Sequence, residues 1–247
     1  MSFVIDKQGD YLPVFGESAG GANATYIPEN TTYTVKTDGT GDFSLLSEAI
    51  TFLQNKWSSG TVTIDIGAGT YEDGKISISQ KLIGFPDLVI KGAGKDNTII
   101  HNTSTSQAVL ISNFRNKCTF QDLTFENTNV TTPFSVFQLD FANATIKNVK
   151  LENGQYTLFV GGGYSQLVMN GTVDIQNSST AAIGVQQQSS ILANQITLNI
   201  DTAPLAISIL RLATFIFAAG TQNYTSVTTQ YSQTVNTITK EGCIYKD

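Results

Sequence analysis

The sequence predicts an all-β protein wound as a single right-handed parallel β-helix, with three strands per coil and an α-helix that caps its N-terminal end. Three observations predict this fold: strand-like segments that recur at a period near 24 residues, two further strand series that keep step with the first, and one amphipathic segment ahead of them. One coil cannot bury its inward face alone, so the stacking of many coils supplies the core.

The first strand series places a central apolar residue at intervals of 22 to 26 positions. Each member alternates mostly apolar and polar residues, which is typical of a half-buried strand. The members are ISISQ (76–80), TIIHN (98–102), LTFEN (123–127), VKLEN (149–153), VDIQN (173–177) and ITLNI (196–200).

Two further series run in step with the first, so that each period holds three short strands. The second series consists of VTIDI (62–66), LVIKG (88–92), TFQD (119–122), ATIKN (144–148), LVMNG (167–171) and SILAN (190–194). The third consists of QAVLI (107–111), SVFQL (135–139), TLFVG (157–161), AAIGV (181–185) and LAISI (205–209). The gaps are too short for helical crossovers, which excludes a doubly wound α/β sheet.

The segment SLLSEAITFLQNKW (44–57) predicts the capping helix, with Ser44 as its N-cap. Its apolar residues follow helical spacing and form one face. They are Leu46, Ala49, Ile50, Leu53 and Trp57. The helix would cover the open end of the stack, which otherwise presents unpaired strand edges.

The chain of 247 residues divides into four predicted parts. Residues 1–33, rich in Gly, Ala, Asn and Thr, are predicted to be an extended arm or linker. Residues 34–57 hold a strand and the capping helix, and residues 58–221 hold the parallel β-helix. Residues 222–247 form a C-terminal segment, either a last irregular coil or a segment that pairs with another subunit.

A row of amides is predicted at one register of the first series. It begins at Gln80 and continues through Asn102, Asn127, Asn153 and Asn177. Stacked amides at a β-helix turn can hydrogen-bond along the axis, as they do in other ladders. The row is therefore predicted to be a structural ladder, with a polar sugar-binding row as the alternative.

Composition excludes several classes of function. Charged residues make up only 14% of the chain, against a usual quarter, and Thr, Ser, Asn and Gln supply the polarity instead. Such a surface suits neutral, hydroxyl-rich ligands. The formal net charge is −6 and the sequence has no cluster of basic residues, so it lacks the positive patch with which proteins bind nucleic-acid phosphates.

The sequence also predicts no membrane insertion, no signal peptide, no cofactor and no metal. The longest apolar run, residues 203–220, is interrupted by Arg211 and is predicted to form two buried strands joined by a turn. The N-terminus lacks a basic region followed by an apolar one, so synthesis in a cytoplasm is expected. Cys118 and Cys243 are the only cysteines and are expected to be free thiols.

Four segments carry a resemblance to a known family. They are TVKTDGTGDFSLLSEAI (34–50), GAGTYEDGKISI (67–78), LVIKGAGKDNTIIHN (88–102) and CTFQDLTFENT (118–128). Together they resemble the pectin methylesterases, within the pectin-lyase-like β-helix superfamily, over about residues 34–180. The resemblance implies the scaffold, since many pectin-lyase-like families share these features.

The catalytic motifs of that family are not reproduced. The resemblance implies two aspartates on adjacent coils, but QYTL (155–158) has Tyr156 where the first should stand. A phenol with a pKa near 10 cannot replace a carboxylate in acid catalysis. GTVDIQN (171–177) is similar to the segment of the second, yet Asp174 lacks the following Phe-Ile-Phe-Gly and is expected to be a solvent-facing strand residue. The Leu-Gly-Arg-Pro-Trp motif has no counterpart, so methylesterase activity is expected to be lost or never present.

Other catalytic chemistry has weaker support. His101, the sole histidine, is expected at an exposed strand position. Glu126 and Glu152 occupy equivalent positions on neighbouring coils, about the separation of a retaining glycosidase pair. The alternative for these carboxylates is a pair of solvated side chains. Asp140 and Asp174 are the further candidate catalytic carboxylates if the chain is a polysaccharide depolymerase. Its active site could lie within one chain or across a subunit boundary.

The architecture and composition also resemble tailspike and tail-fibre proteins of tailed bacteriophages, without a specific motif. This resemblance implies a homotrimeric receptor-binding protein of the virion tail that binds bacterial surface polysaccharide. Residues 1–33 would contact other tail proteins. Tyr156, Phe159 and Tyr164 are the predicted sugar-stacking residues. A purely structural virion subunit is a further alternative.

Overall fold

The computed structural model describes residues 25–79, 82, 84–127 and 134–229 in full, and the strand backbone of residues 2–5, 11–14, 230–233 and 244–246. One α-helix, α1 (Leu46–Leu53), lies in these parts of the chain. The strands are β1 (Ser2–Ile5), β2 (Tyr11–Val14), β3 (Thr25–Tyr26), β4 (Thr31–Val35), β5 (Lys56–Trp57), β6 (Thr61–Ile66), β7 (Gly69–Asp73), β8 (Ile76–Ser79), β9 (Asp87–Gly92), β10 (Thr98–Asn102), β11 (Val109–Ser112), β12 (Lys117–Asn127), β13 (Phe137–Asp140), β14 (Asn143–Gly161), β15 (Gln166–Gln186), β16 (Ser190–Leu210), β17 (Thr214–Phe217), β18 (Gly220–Gln233) and β19 (Ile244–Lys246).

The strands wind into the right-handed parallel β-helix that the sequence predicts, with fifteen of them in one continuous sheet. Every pairing within that sheet is parallel, and each wall of the coil stacks residues from successive turns. On the first wall Ile100 lies opposite Phe125, which in turn lies opposite Leu151. These inward residues are buried, so the core runs along the axis of the coil.

Two outward surfaces matter for function. The first face consists of the outward side chains of β7, β10, the second half of β12 and the central parts of β14, β15 and β16. The third face consists of the outward side chains of β8, β11, β13 and the last parts of β14, β15 and β16. Because side chains alternate along a strand, each face is the reverse side of a buried row.

One strand lies on a different wall from the one predicted. Ile76–Ser79 pairs with β11, so it belongs to the third wall and not to the first. The strand beneath β10 is β7, in which Asp73 lies opposite Asn102. Alternation shows which side chains point inward, but it does not show on which wall a strand lies.

Single residues in the left-handed backbone conformation turn the chain at the corners. Between the second and first walls these residues are Asp122, Asn148, Gly171 and Gln195, with φ of 58°, 51°, 66° and 49°. Between the first and third walls they are Asn153, Asn177, Thr202 and Ser226, with φ of 66°, 54°, 54° and 53°. Asn and Asp adopt this conformation more readily than other residues with a Cβ, which explains their recurrence.

The capping helix is shorter than predicted and is capped differently. It starts at Leu46, so Ser44 is not its N-cap. The Ser47 amide instead donates to Asp73 Oδ2 at 3.0 Å, and Asp73 is a buried residue of the first coil. The buried helix residues match the predicted apolar face except for Trp57, which lies in β5 with its ring centroid 4.6 Å from that of Tyr26.

The C-terminal part of the described chain continues the stack. Residues 203–220 contain the end of β16, a turn and β17, as predicted, and β18 then pairs in parallel with β16. Pairing of this region with another subunit stays a prediction. Within the described ranges, no helix is both long and apolar enough to cross a bilayer.

Cys118 is buried in the core between the coils. Burial raises the pKa of its thiol far above the ordinary value, because the charged thiolate would lose its hydration there. Cys243 lies outside the described residues.

Candidate functional site

The first face brings the predicted carboxylate pair together, but each carboxylate already has its own partner. Glu126 lies directly opposite Glu152 on the neighbouring coil. Glu126 accepts from Asn153 Nδ2 at 3.0 Å and lies 3.0 Å from His101 Nε2. Glu152 pairs with Lys150 Nζ at 2.9 Å. The two acids therefore bind separate partners and do not form an isolated carboxylate pair.

His101 points outward, as predicted, but both of its ring nitrogens have partners. Nδ1 lies 2.8 Å from Glu72 Oε1 on the coil below, and Nε2 contacts Glu126 on the coil above. The ring is half-buried between them. This arrangement joins three coils electrostatically and provides no serine nucleophile for a triad.

Asp174 lies on the first face, but it is not the solvent-facing residue that the sequence predicts. Only 8% of the residue is exposed. Its carboxylate forms an ion pair with Lys95 and accepts from Asn199 Nδ2 at 2.6 Å. The loop before β10 supplies Lys95, which covers the carboxylate from the side of the preceding coils.

The predicted amide ladder forms at two of its positions only. Asn102 Nδ2 donates to Asn127 Oδ1 at 2.8 Å. Asn153 and Asn177 instead adopt left-handed backbone conformations at a corner, so their side chains leave the row, and Asn177 is exposed. Gln80 lies outside the described residues, and Asp73 takes the position opposite Asn102.

A second polar ladder was not predicted. Asn223 Nδ2 donates to Asn199 Oδ1 at 2.7 Å, and Asn199 donates in turn to Asp174. The sequence indicates this ladder through the spacings of 25 and 24 residues between Asp174, Asn199 and Asn223, which match the coil period. No spacing indicates the contact of Lys95, because Lys95 comes from a loop three coils away.

The third face carries an aromatic pair that lies against the sheet. The rings of Tyr156 and Phe159 have centroids 5.6 Å apart and are tilted by 60°. A Cβ on Gly184 would lie 2.6 Å from Tyr156 Cδ1 and 3.1 Å from Phe159 Cδ2, and a Cβ on Gly161 would lie 2.6 Å from Phe159 Cε1. The two glycines therefore leave the space that these rings occupy, directly above the strands.

Polar groups border this aromatic pair. Gln107 donates to Gln138 at 3.0 Å, and Gln138 donates to Asp140 Oδ2 at 2.8 Å. In the register of the wall, Gln138 lies opposite Phe159 and Asp140 lies opposite Gly161. The arrangement is an apolar surface of two mutually tilted rings, edged by amides and one carboxylate.

A shallow cavity of about 70 Å³ opens beside the rings. Its lining residues are Tyr156, Phe159, Gly184, Val185, Gln186, Ser208 and Leu210. This volume is far below the roughly 300 Å³ of a site that encloses a small molecule. The surface can therefore contact one face of a ligand that lies along it, and it cannot engulf one.

Comparison with known proteins identifies the family. Residues 32–203 match the sequence profile of the family described as Pectinesterase. The chain belongs to the pectinesterase family. A "Pectinesterase/pectinesterase inhibitor" of Brassica campestris is 28% identical over 182 residues, which cover 68% of this chain and 30% of that protein. The chain thus spans less than a third of the length of this relative.

Solved pectin methylesterase structures share the fold. The enzyme from carrot superposes with a TM-score of 0.50 at 14% identity and 89% coverage of both chains. A pectin methylesterase variant in complex with a hexasaccharide gives a TM-score of 0.55 at 13% identity, covering 89% of this chain and 93% of that one. At these identities the likeness concerns the β-helix scaffold alone.

The structure separates the two pectinesterase-like motif positions. Tyr156 lies opposite Ala181 on the next coil, whereas Asp174 lies opposite Lys150 on the first wall. Tyr156 and Asp174 therefore do not face each other across adjacent coils. The carboxylate on the same face as Tyr156 is Asp140.

The remaining predicted residue of this pectinesterase-family chain, Tyr164, lies apart from the other two aromatics. It is 63% exposed at the corner after β14, with φ of 53°, and its carbonyl accepts from Arg115 at 2.9 Å. Among the described residues it makes no ring contact with Tyr156 or Phe159. The part of the chain that the structure describes holds no group of three His, Cys, Asp or Glu residues arranged for a metal.

Proposed function

We propose that this pectinesterase-family chain binds an extended polysaccharide along its third face, with Tyr156 and Phe159 as the stacking surface. The observation that carries the proposal is the seating of both rings on Gly161 and Gly184. Aromatic faces edged by a few polar groups are the usual composition of a ligand site, and the C–H face of a sugar is apolar enough to pack on them.

The geometry of the wall supports an elongated ligand. Successive coils repeat at about 4.8 Å, so a chain lying along the axis meets the same row of positions again on each coil. Gln138, Phe159, Gly184 and Ser208 form one such row. The row offers an amide, an aromatic ring and a hydroxyl in sequence along the axis.

The biological setting that we propose is the virion tail of a bacteriophage, with a bacterial surface polysaccharide as the ligand. Support comes from composition, since Thr, Ser, Asn and Gln replace charged residues over much of the chain. In this setting the protein is a homotrimer, and residues 1–33 contact other tail proteins. Light scattering tests the trimer: the chain mass is 26.6 kDa, and a particle of that single mass contradicts this part of the proposal.

We further propose that the chain does not act as a methylesterase, because Tyr156 replaces the first catalytic aspartate that the resemblance implies. Methanol release from methyl-esterified pectin measures this directly, and any turnover above that of a heat-unfolded sample contradicts it. A depolymerase using Glu126 and Glu152 is the alternative, and its support is their opposed register alone.

Substitution of Phe159 tests the proposed surface. Phe159→Ala removes one of the two stacking rings, and we expect it to weaken binding of a carboxyl-reduced oligogalacturonide by about tenfold in calorimetric titration. Leu192→Ala is the matched control, because Leu192 is an exposed apolar residue on another wall, 38% accessible. Unchanged binding after Phe159→Ala, or an equal loss after Leu192→Ala, would show that the third face is not the site.

A further inference from the structure

We infer that the third face selects uncharged sugars and discriminates against free uronates. The inference rests on the proposed function and adds the chemical class of the ligand. It follows from the charges that surround the aromatic pair.

The outward positions of the third face carry no cation in the described strands. From β8 to β16 these positions hold Ser77, Ser79, Leu110, Ser112, Gln138, Asp140, Phe159, Gly161, Gly184, Gln186, Ser208 and Leu210. A carboxylate of a bound uronate would find no Lys or Arg among them. Bidentate or ionic recognition of carboxylates in proteins depends on such residues.

The single charge on this face is negative and lies beside the stacking ring. Asp140 is in register with Gly161, over which the Phe159 ring lies. Gln138 occupies one acceptor site of its Oδ2 atom at 2.8 Å. An ionised carboxylate offers about four acceptor sites, so Asp140 can still accept from hydroxyl groups of a neutral sugar.

The same Asp140 carboxylate would repel a uronate on the ring. If the uronate carboxylate lies about 6 Å from Asp140, in surroundings between a protein surface and bulk water, the repulsion lowers the affinity roughly tenfold relative to an uncharged ligand.

Two cations flank the face along the chain. Lys75 directly precedes β8, and Arg211 directly follows Leu210, which lines the cavity beside the rings, at a corner with φ of 55°. Arg211 therefore belongs in the experiment as a variant of its own. If it supplied a counter-charge to a bound uronate, Arg211→Gln would lower the affinity for the uronate alone.

A matched ligand pair tests the inference. Native oligogalacturonide and its carboxyl-reduced form share ring stereochemistry and linkage, and they differ only in carboxylate against hydroxymethyl. We expect the intact protein to bind the reduced form about tenfold more tightly at low ionic strength. Asp140→Asn should bring the two affinities to within about twofold, and Arg211→Gln should change neither.

The outcomes separate this inference from the proposed function. Equal affinity for both ligands, with Phe159-dependent binding, overturns charge selection and leaves the site in place. Tighter binding of the native uronate, or a preference that persists in Asp140→Asn, also overturns charge selection. Failure of both ligands to bind overturns the inference together with the sugar-stacking role of the third face for these ligands.

Discussion

The first and third faces are built on the same coil with the same period, yet their outward side chains are employed differently. On the first face, polar residues bind each other across the coils, as Lys95 and Asn199 bind Asp174. On the third face, glycines leave room for two rings, and the polar chain ends at Asp140 with acceptor sites to spare. A row of charged residues can therefore be structural, while a row poor in charge carries the surface that we propose as the site.

The difference has a physical cause. Side chains on stacked parallel strands lie about 4.8 Å apart, which is close enough for opposite charges and amides to satisfy each other along the axis. Such ladders hold neighbouring coils together, but they leave few groups for a ligand. Flat aromatic rings have no such axial partner, so their outer faces stay available to one.

The largest expected effect is on stability and concerns the first face. Asp174→Ala leaves the half-buried Lys95 without its partner and breaks the bond to Asn199, so we expect a loss of about 2 kcal/mol in the free energy of unfolding. Urea titration measures it. Asp201→Ala, on the same face but bonded only to its neighbour Thr202 among described contacts, is the control. A loss of glycan binding with unchanged stability would reverse the roles that we give to the two faces.

The next effect is on binding and concerns the third face. Gly184→Ala places a methyl group 2.6 Å from the Tyr156 ring, so the rings must move away from the sheet. We expect affinity for the carboxyl-reduced oligogalacturonide to fall about tenfold, or about 1.4 kcal/mol, with the fold retained. Gly74→Ala is the matched control, because a Cβ there meets nothing within 4 Å. Equal affinities in both variants would mean that the position of the rings is unimportant for binding.

The smallest effect is expected for the double variant Glu126→Gln and Glu152→Gln. Both acids are partly exposed and have separate partners, Glu126 with His101 and Asn153 and Glu152 with Lys150. We therefore expect a change in unfolding free energy below about 1 kcal/mol and unchanged glycan binding. Thermal unfolding and titration measure the two quantities. If the native chain degrades a bacterial surface polysaccharide and the double variant does not, these residues are catalytic and the first face is an active site.

The sequence was sufficient to predict the fold, because the inward rows recur in step. Phe125, Leu151 and Ile175 lie one above the other as their spacing predicts. The prediction that ISIS (76–79) begins the first wall was wrong. That segment alternates apolar and polar residues well, whereas GTYED (69–73), which does begin the first wall, does not. The walls are distinguished by their corners, and the corner residues vary too much in type to be recognised in a single chain.

The candidate site was predictable only in part. Tyr156 and Phe159 were identified as aromatics near each other, but the importance of Gly184 depends on register between coils, which no local pattern reveals. The burial of Asp174 had no signal either, since Lys95 reaches it from a loop 79 positions earlier in the chain. Contacts along the axis were predictable where the period is regular, and contacts made by loops were not.

The bond from Ser47 to Asp73 has a consequence for the order in which the molecule forms. A helix of eight residues is marginal by itself, and here the acceptor of its Ser47 amide arrives only when the first coil closes, 26 positions later. The helix is therefore fully capped only once that coil has formed. Closure of the first turn then creates both the template for later coils and the cover that keeps its open edge from meeting another chain.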